Sequence, residues 1–497
     1  MLTLVLLVPL AGIPFLLIPK LDDRFARLIG LAFSLITFVV SLGILFSFDG
    51  NASGFQLVQE ATWVESLGFK YILGVDGISL FMVLITTFLM PLAILASWKV
   101  DKQVRYFMGS FLVLETALLG TFMSLDLLLF FLFFEAMLFP MYLIIGAWGG
   151  DRRVYAAVKF FLYTMFGSAF LFVAILFLYF RAGSELGQGT FDLRVLQDLP
   201  LAAATARWLF LAFFVAFAIK VPMFPLHTWL PDAHTEAPTA GSVILAAILL
   251  KIGAYGLLRF NLSLFPDASR YFADFVQILA LIGIIYGAAV ALMQTDIKRL
   301  VAYSSVSHLG FVVLGIFAFT EISVSGGVLQ MVNHGLSTGA LFLLVGMLYE
   351  RTHTRELGEL GGLASVTPVL AGLFLFVSLS SLGLPGLNNF VGEFLVILGT
   401  FSENAVFGSI AAVGVVLAAI YLLTAYQKAM QGPVNPKQSG LQDLSKREIA
   451  VIAPVAAAIL VIGILPNLLL DRINPTTTEV VRTMRSQVTA VSAEGEP

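Results

Sequence analysis

Apolar runs of 18 or more residues recur from one end of this chain to the other, each long enough to cross about 30 Å of hydrocarbon as a helix. Lipid offers no partner to backbone N–H and C=O groups, so a spanning segment must be a helix or part of a closed barrel. A barrel strand would alternate apolar with polar residues, and these runs do not alternate. The expected fold class is therefore all-α and integral to a membrane, with lipid as the surrounding partner. Composition agrees, with 59% hydrophobic and 12% charged residues. The formal net charge of −3 gives no sign of nucleic acid as a partner. Zero cysteines remove disulfides, thiolate zinc sites and cysteine-ligated iron–sulfur clusters.

About fourteen spans are expected, at 2–19, 27–48, 77–98, 105–123, 127–147, 155–180, 208–230, 239–261, 273–293, 298–319, 323–349, 368–402, 405–428 and 449–470. Met1–Pro19 has neither a basic leader nor a small-residue cleavage site and reads as a retained first span. The loops after spans 1, 3, 5, 9, 11 and 13 hold most of the Lys and Arg, among them Lys20, Lys99, Lys102, Arg152, Lys298, Arg351 and Lys437. The other face and the tail hold Lys70, Arg181, Arg194, Arg207, Arg259, Arg270, Arg472, Arg482 and Arg485. The positive-inside rule then puts both termini on the outer side. Phe55–Val64 and Gly68–Val75 suit a small external hairpin. The stretch Gln431–Glu448 reads as a polar cytoplasmic loop, and the polar tail from Asp471 is expected to fray or lie on a neighbour.

Two spans carry breaks. Lys220-Val221-Pro222-Met223-Phe224-Pro225 and Leu384-Pro385-Gly386-Leu387-Asn388-Asn389 each place helix-breaking residues inside an apolar run. Unwound backbone at membrane depth is tolerated only where it lines protein or water, and breaks at matching places in two halves point to inverted repeats. The expected organisation is N-terminal helices and an external loop over 1–104, two inverted five-helix repeats over 105–261 and 273–430, and a cytoplasmic loop, last helix and external tail over 431–497. Glu115, Glu135, Lys220, Lys251, His334 and Glu393 lie inside these apolar segments. A charge at the bilayer centre costs about 2.5–3.5 kcal/mol, so each needs a partner, water or a function. An ion or proton pathway is the reading that uses all six.

Several motifs resemble the antiporter-like subunits of respiratory complex I. They are Phe134-Glu135-Ala136-Met137-Leu138-Phe139-Pro140-Met141-Tyr142, Trp148-Gly149-Gly150, Lys159-Phe160-Phe161-Leu162-Tyr163-Thr164, Ala218-Ile219-Lys220-Val221-Pro222 and Pro225-Leu226-His227-Thr228-Trp229-Leu230-Pro231-Asp232-Ala233-His234. Leu250-Lys251-Ile252-Gly253, Ala302-Tyr303-Ser304-Ser305-Val306-Ser307-His308 and Leu384-Pro385-Gly386 continue the match over nearly the whole chain. The glutamate of Gly392-Glu393-Phe394 is what M-type members carry where L and N types carry lysine.

The resemblance implies a proton-translocating membrane subunit of an NADH-quinone oxidoreductase in a bacterial-type energy-transducing membrane. It implies that Glu135 pairs with Lys220, that Lys251 is the next carrier, that His308 and His334 relay, and that Glu393 is the terminal carboxylate. Glu115 would assist the Glu135 pair. Burial favours the neutral form of a carboxylate or amine and an ion pair the charged forms, so making or breaking the Glu135–Lys220 pair would act as a switch. Imidazole suits relay because it titrates near neutrality.

His227, Asp232, His234 and Glu236 have metal-ligand spacing but fall in a Pro-rich loop, which reads as a structural loop or a proton intake and not as a metal site. No cofactor is expected in this chain. NADH, FMN, iron–sulfur clusters and quinone would belong to partner subunits, with antiporter-like neighbours of types L and N in the membrane arm. The rival readings are an Mrp-type cation/proton antiporter subunit, a membrane-bound hydrogenase subunit and a non-conducting scaffold.

Overall fold

The computed structural model describes residues 1–494, with side chains described through Arg485. Among these residues twelve helices are long and apolar enough to cross a membrane. They include Val104–Met123, Leu127–Trp148, Arg153–Leu186, Thr239–Leu264, Ile297–Phe317, Glu321–Thr352 and Ala405–Met430. The expected first span is shorter: Leu2–Ala11 and Ile13–Leu16 are separated at Gly12. The expected twelfth is two helices, Pro368–Ser381 and Asn388–Glu403. The helices Thr239–Leu264 and Glu321–Thr352 are buried along nearly their whole length and form the centre of the bundle.

The hairpin forms as expected from its β-branched and aromatic residues. Strands Gln56–Val64 and Phe69–Val75 pair antiparallel, with Ala61 opposite Tyr71. Gly68 closes the turn at φ 59°, a left-handed conformation that suits a residue without Cβ. The hairpin defines one face of the bundle, and the Gly149–Asp151 turn and the 431–445 loop lie on the other.

Both breaks are present, and each is satisfied internally. Ala203–Lys220 ends at Lys220, the chain turns through Pro222 and Pro225, and a short helix Trp229–Glu236 follows. The freed carbonyl of Ile219 accepts a hydrogen bond from the Trp229 indole at 2.9 Å. In the second break Gly383 and Gly386 take φ of 83° and 91°. There Asn333 Nδ2 donates to the Asn388 carbonyl at 2.7 Å and Asn388 Nδ2 to the Asn333 carbonyl at 3.1 Å, tying the broken helix to Glu321–Thr352.

Three features depart from expectation. The tail is a helix, Asn467–Glu494, whose Ile473 and Val481 are buried and whose Thr477 hydroxyl lies 2.6 Å from that of Ser325. Its apolar residues recur at helical spacing, so of the two expected outcomes, fraying or lying on a neighbour, it does not fray but lies on its own bundle. Arg259, counted as an outer-face charge, is instead buried against Asp76, with Arg259 Nη2 2.5 Å from Asp76 Oδ2. Finally, the Thr239–Leu264 span contains two π-helical turns, Leu245–Leu249 and Leu257–Asn261, flanking the α-helical Leu250–Gly256.

Candidate functional site

Lys251 lies between the two π turns, a setting that recurs at functional sites. Its Nζ donates to the Ala246 carbonyl at 2.6 Å and lies 2.6 Å from His334 Nδ1. An ammonium or amine donating to Nδ1 leaves the His334 proton on Nε2, which has no partner among the described residues. The His334 ring centroid is 5.6 Å from that of His308. His308 Nδ1 is 2.7 Å from Glu393 Oε1, which also accepts from Gln330 Nε2 at 2.9 Å. The Tyr421 hydroxyl lies 3.0 Å from His308 Nε2.

Four of the expected residues, Lys251, His334, His308 and Glu393, thus stand in one row across the helices Thr239–Leu264, Ile297–Phe317, Glu321–Thr352 and Asn388–Glu403. All four are buried. Each end of the row is backed by irregular helix, the π turns at Lys251 and the second break at Glu393. The free Oε2 of Glu393 faces Gly383 in that break, where a Cβ would lie 3.3 Å from it. Around the break, Ser337, Ser380 and Asn388 form a buried hydroxyl–amide cluster, with Ser380 Oγ donating to Asn388 Oδ1 at 2.6 Å and Ser337 Oγ lying 2.8 Å from Ser380 Oγ.

The other three expected residues are not joined in this way. Lys220 Nζ sits 4.7 Å from the centroid of the Phe134 ring and 5.9 Å from that of Phe160. Among the described residues neither Glu135 nor Glu115 makes an ion pair with Lys220. The expected contact pair is therefore a separated pair here, with the cation held by aromatic faces. Glu135 is half-buried, two residues before a kink at Met137 that divides its span into Leu127–Ala136 and Leu138–Trp148. Glu115 is fully buried with neither oxygen bonded to a protein group, and it makes no direct bond to Glu135.

The Pro-rich loop disperses its four metal-spaced residues. Asp232 pairs with Lys159 at 2.7 Å. Glu236 Oε2 accepts from the Arg152 N–H at 2.9 Å. His227 lies against Phe224 and Tyr286, and His234 stacks on Phe342 with centroids 4.7 Å apart. A polar cavity of about 300 Å³ opens beside this loop on the face opposite the hairpin, lined in part by Gly150, Thr235, Glu236, Lys298 and Arg355.

Sequence reasoning missed Tyr421, Gln330, Asp76 and Arg259. A polar side chain inside an apolar run was the available signal for the first two. The last two lie at the ends of apolar runs, where such residues ordinarily meet water.

The sequence pattern of the NADH:quinone oxidoreductase/Mrp antiporter membrane region matches residues 124–420, and that of the amino terminus of NADH-ubiquinone oxidoreductase chain 4 matches residues 1–124. NADH-quinone oxidoreductase subunit M of Rickettsia prowazekii (strain Madrid E) is 45% identical over 479 residues, covering 94% of this chain and 96% of its own. A chain in the structure of respiratory complex I from Thermus thermophilus with bound NADH superposes with a TM-score of 0.89 at 34% identity, covering 97% of this chain and 100% of that one. A chain of the Mrp complex from Dietzia sp. DQ12-45-1b shares the fold, with a TM-score of 0.85 at 20% identity over 99% of this chain and 98% of that one.

Proposed function

This chain belongs to the NADH-quinone oxidoreductase subunit M family of antiporter-like membrane subunits, and we propose that it moves protons through the row Lys251–His334–His308–Glu393 within an NADH:quinone oxidoreductase. Protons enter by the polar cavity beside the Pro-rich loop, reach Lys251, pass His334 and His308, and leave from Glu393 at the second break. The hairpin face is then the outer side, together with both termini, and residues 105–261 and 273–430 act as two half-paths. Electron transfer takes place in partner subunits that carry NADH, FMN, iron–sulfur clusters and quinone, and the L- and N-type subunits are this chain's membrane neighbours.

The observation that carries this reading is the close spacing of the row. Lys251 and His334 stand 2.6 Å apart, and His308 and Glu393 2.7 Å apart. A proton released by Lys251 to His334 Nδ1 lets His334 give its Nε2 proton to His308, whose ring centroid is 5.6 Å away, and the doubly protonated His308 passes Nδ1–H to the carboxylate. Glu135 and Lys220 supply the drive. When the carboxylate approaches, it holds Lys220 charged, and when it withdraws, the buried ammonium is left beside Phe134 and repels charge further along. Buried groups of this kind, placed at irregular helices, are the usual marks of an ion pathway.

An Mrp-type antiporter is the second reading, favoured by the shared fold. The quinone-linked reading is preferred because the 45% identical relative is an NADH-quinone oxidoreductase subunit. The test is NADH-driven quinone reduction measured together with proton uptake in membrane vesicles carrying Lys251→Ala in the assembled complex. Loss of proton translocation is expected. Unchanged pumping would overturn the proposed path.

A further inference from the structure

The hairpin-face end of the Lys251 helix is closed by a buried ionic plug. Counting along that helix, Lys251, Tyr255 and Arg259 recur every four residues and so stack on one side of it. Arg259 Nε donates to the Tyr255 hydroxyl at 3.2 Å, and that hydroxyl donates to the Phe122 carbonyl at 3.1 Å. The guanidinium lies 4.8 Å from the Phe55 ring centroid and 5.3 Å from that of Tyr255. Asp76 faces it, oriented by the Ile78 and Ser79 N–H groups at 3.1 and 3.0 Å. Side-chain exposure is 6% for Arg259 and 2% for Asp76.

On the far side of this pair is a cavity of about 250 Å³ at the hairpin face, with Ser53, Asp76, Asp198, Arg259, Thr476 and Glu479 in its wall. The pair therefore separates an outward cavity of mixed polar and apolar lining from Tyr255 and, one turn beyond, Lys251. A buried ion pair is a poor source of stability relative to apolar packing of the same volume. A guanidinium does not lose its proton at working pH, so it is a permanent positive charge at this point. A fixed arginine beside a pore is a known electrostatic barrier to protons and cations.

We propose that Arg259, positioned by Asp76 and seated on Tyr255, seals the outer end of the Lys251 helix against protons, so that a proton on Lys251 can leave only through His334. The inference rests on Lys251 carrying protons, as argued above. The seal gives the transfer its direction: without it, the outer cavity would offer Lys251 a short return path that bypasses Glu393.

The experiment measures passive decay of an imposed pH gradient, without turnover, in vesicles carrying the assembled complex. Arg259→Gln should make the decay severalfold faster, and the double variant Arg259→Gln/Lys251→Ala should return it to the wild-type rate. Wild-type decay in assembled Arg259→Gln overturns the seal, and fast decay persisting in the double variant does so too, because the leak would then bypass Lys251. Should Arg259→Gln not assemble, Asp76→Asn decides. Asparagine keeps the acceptor for Ile78 and Ser79 but removes the charge that positions the guanidinium, so decay should be faster than wild type and fall back in Asp76→Asn/Lys251→Ala, whereas wild-type decay in assembled Asp76→Asn overturns the seal. Passive decay is independent of turnover, so these results stand apart from the Lys251→Ala pumping test of the path itself.

Discussion

His308 and Glu393 are bonded through one carboxylate oxygen while the other is left facing the glycine turn of the second break. In the proposed path the bonded oxygen would take a proton from the relay and the free one would release it. Glutamine in place of Glu393 keeps an acceptor for His308 and Gln330 but cannot bind and release a proton. Glu393→Gln should therefore assemble and slow proton translocation by about a hundredfold or more, the range for loss of a positioned proton-transfer group. Undiminished translocation would make Glu393 a filler for the broken helix.

Lys251 touches a carbonyl and an imidazole, both acceptors. Arginine could satisfy both and keep the charge, yet it would hold its proton. Lys251→Arg is expected to fail in vesicle pumping as fully as Lys251→Ala. Full pumping by the arginine variant would show that only positive charge is needed there.

The separated Glu135–Lys220 pair makes a distinct expectation. With no direct bond to lose, Glu135→Ala should assemble normally yet nearly abolish coupled quinone reduction and pumping, because Lys220 loses its opposing charge. Glu135→Asp should retain part of the activity. An assembled Glu135→Ala complex that pumps normally would remove the pair from the mechanism.

A pH effect is expected at the hairpin. Asp126 caps the helix that begins at Leu127 and also accepts from the Lys70 N–H of the hairpin at 3.3 Å. Burial raises its carboxyl to about 6, against the pull of the backbone N–H groups of Leu129, Lys70 and Leu128, with Asp192 adding to the rise. The folded value lies above the ordinary one, so the contribution to hairpin docking is fully present below about pH 4 and is lost as pH rises through about 6, on the order of 3 kcal/mol in all. Hydrogen exchange of Phe69–Val75, corrected for intrinsic rate, should show protection falling over that window. In Asp126→Asn the step should vanish; a persisting step would assign it to another group.

Much of the architecture could be read from the residues alone. Prolines 222, 225 and 385 announced the breaks because they remove backbone donors wherever they fall, and the hairpin followed from its β-branched and aromatic run. The row from Lys251 to Glu393 was named residue by residue, but its order came from resemblance, since contacts between distant helices leave no local signal. The π turns were illegible for a related reason: Leu245–Leu249 is uniformly apolar, and no periodicity in it separates a π turn from an α turn. Lys220 illustrates a third limit. Sequence supplied its charged partner, but the rings of Phe134 and Phe160 that hold it instead are apolar residues like dozens of others. Tyr421 sits in an apolar run that does not say which helix it meets, and its hydroxyl against His308 becomes visible only once the helices are packed.

A π turn is an α-helix with one residue too many, and the surplus at Leu245–Leu249 sets the compass bearing of everything after it. If those five residues rewound as ordinary helix with nothing deleted, the surplus would pass into the segment beyond and turn Lys251 by about 100° around the axis, out of line with His334. The row can thus be opened or closed by where one surplus residue is wound, with no residue in it changed.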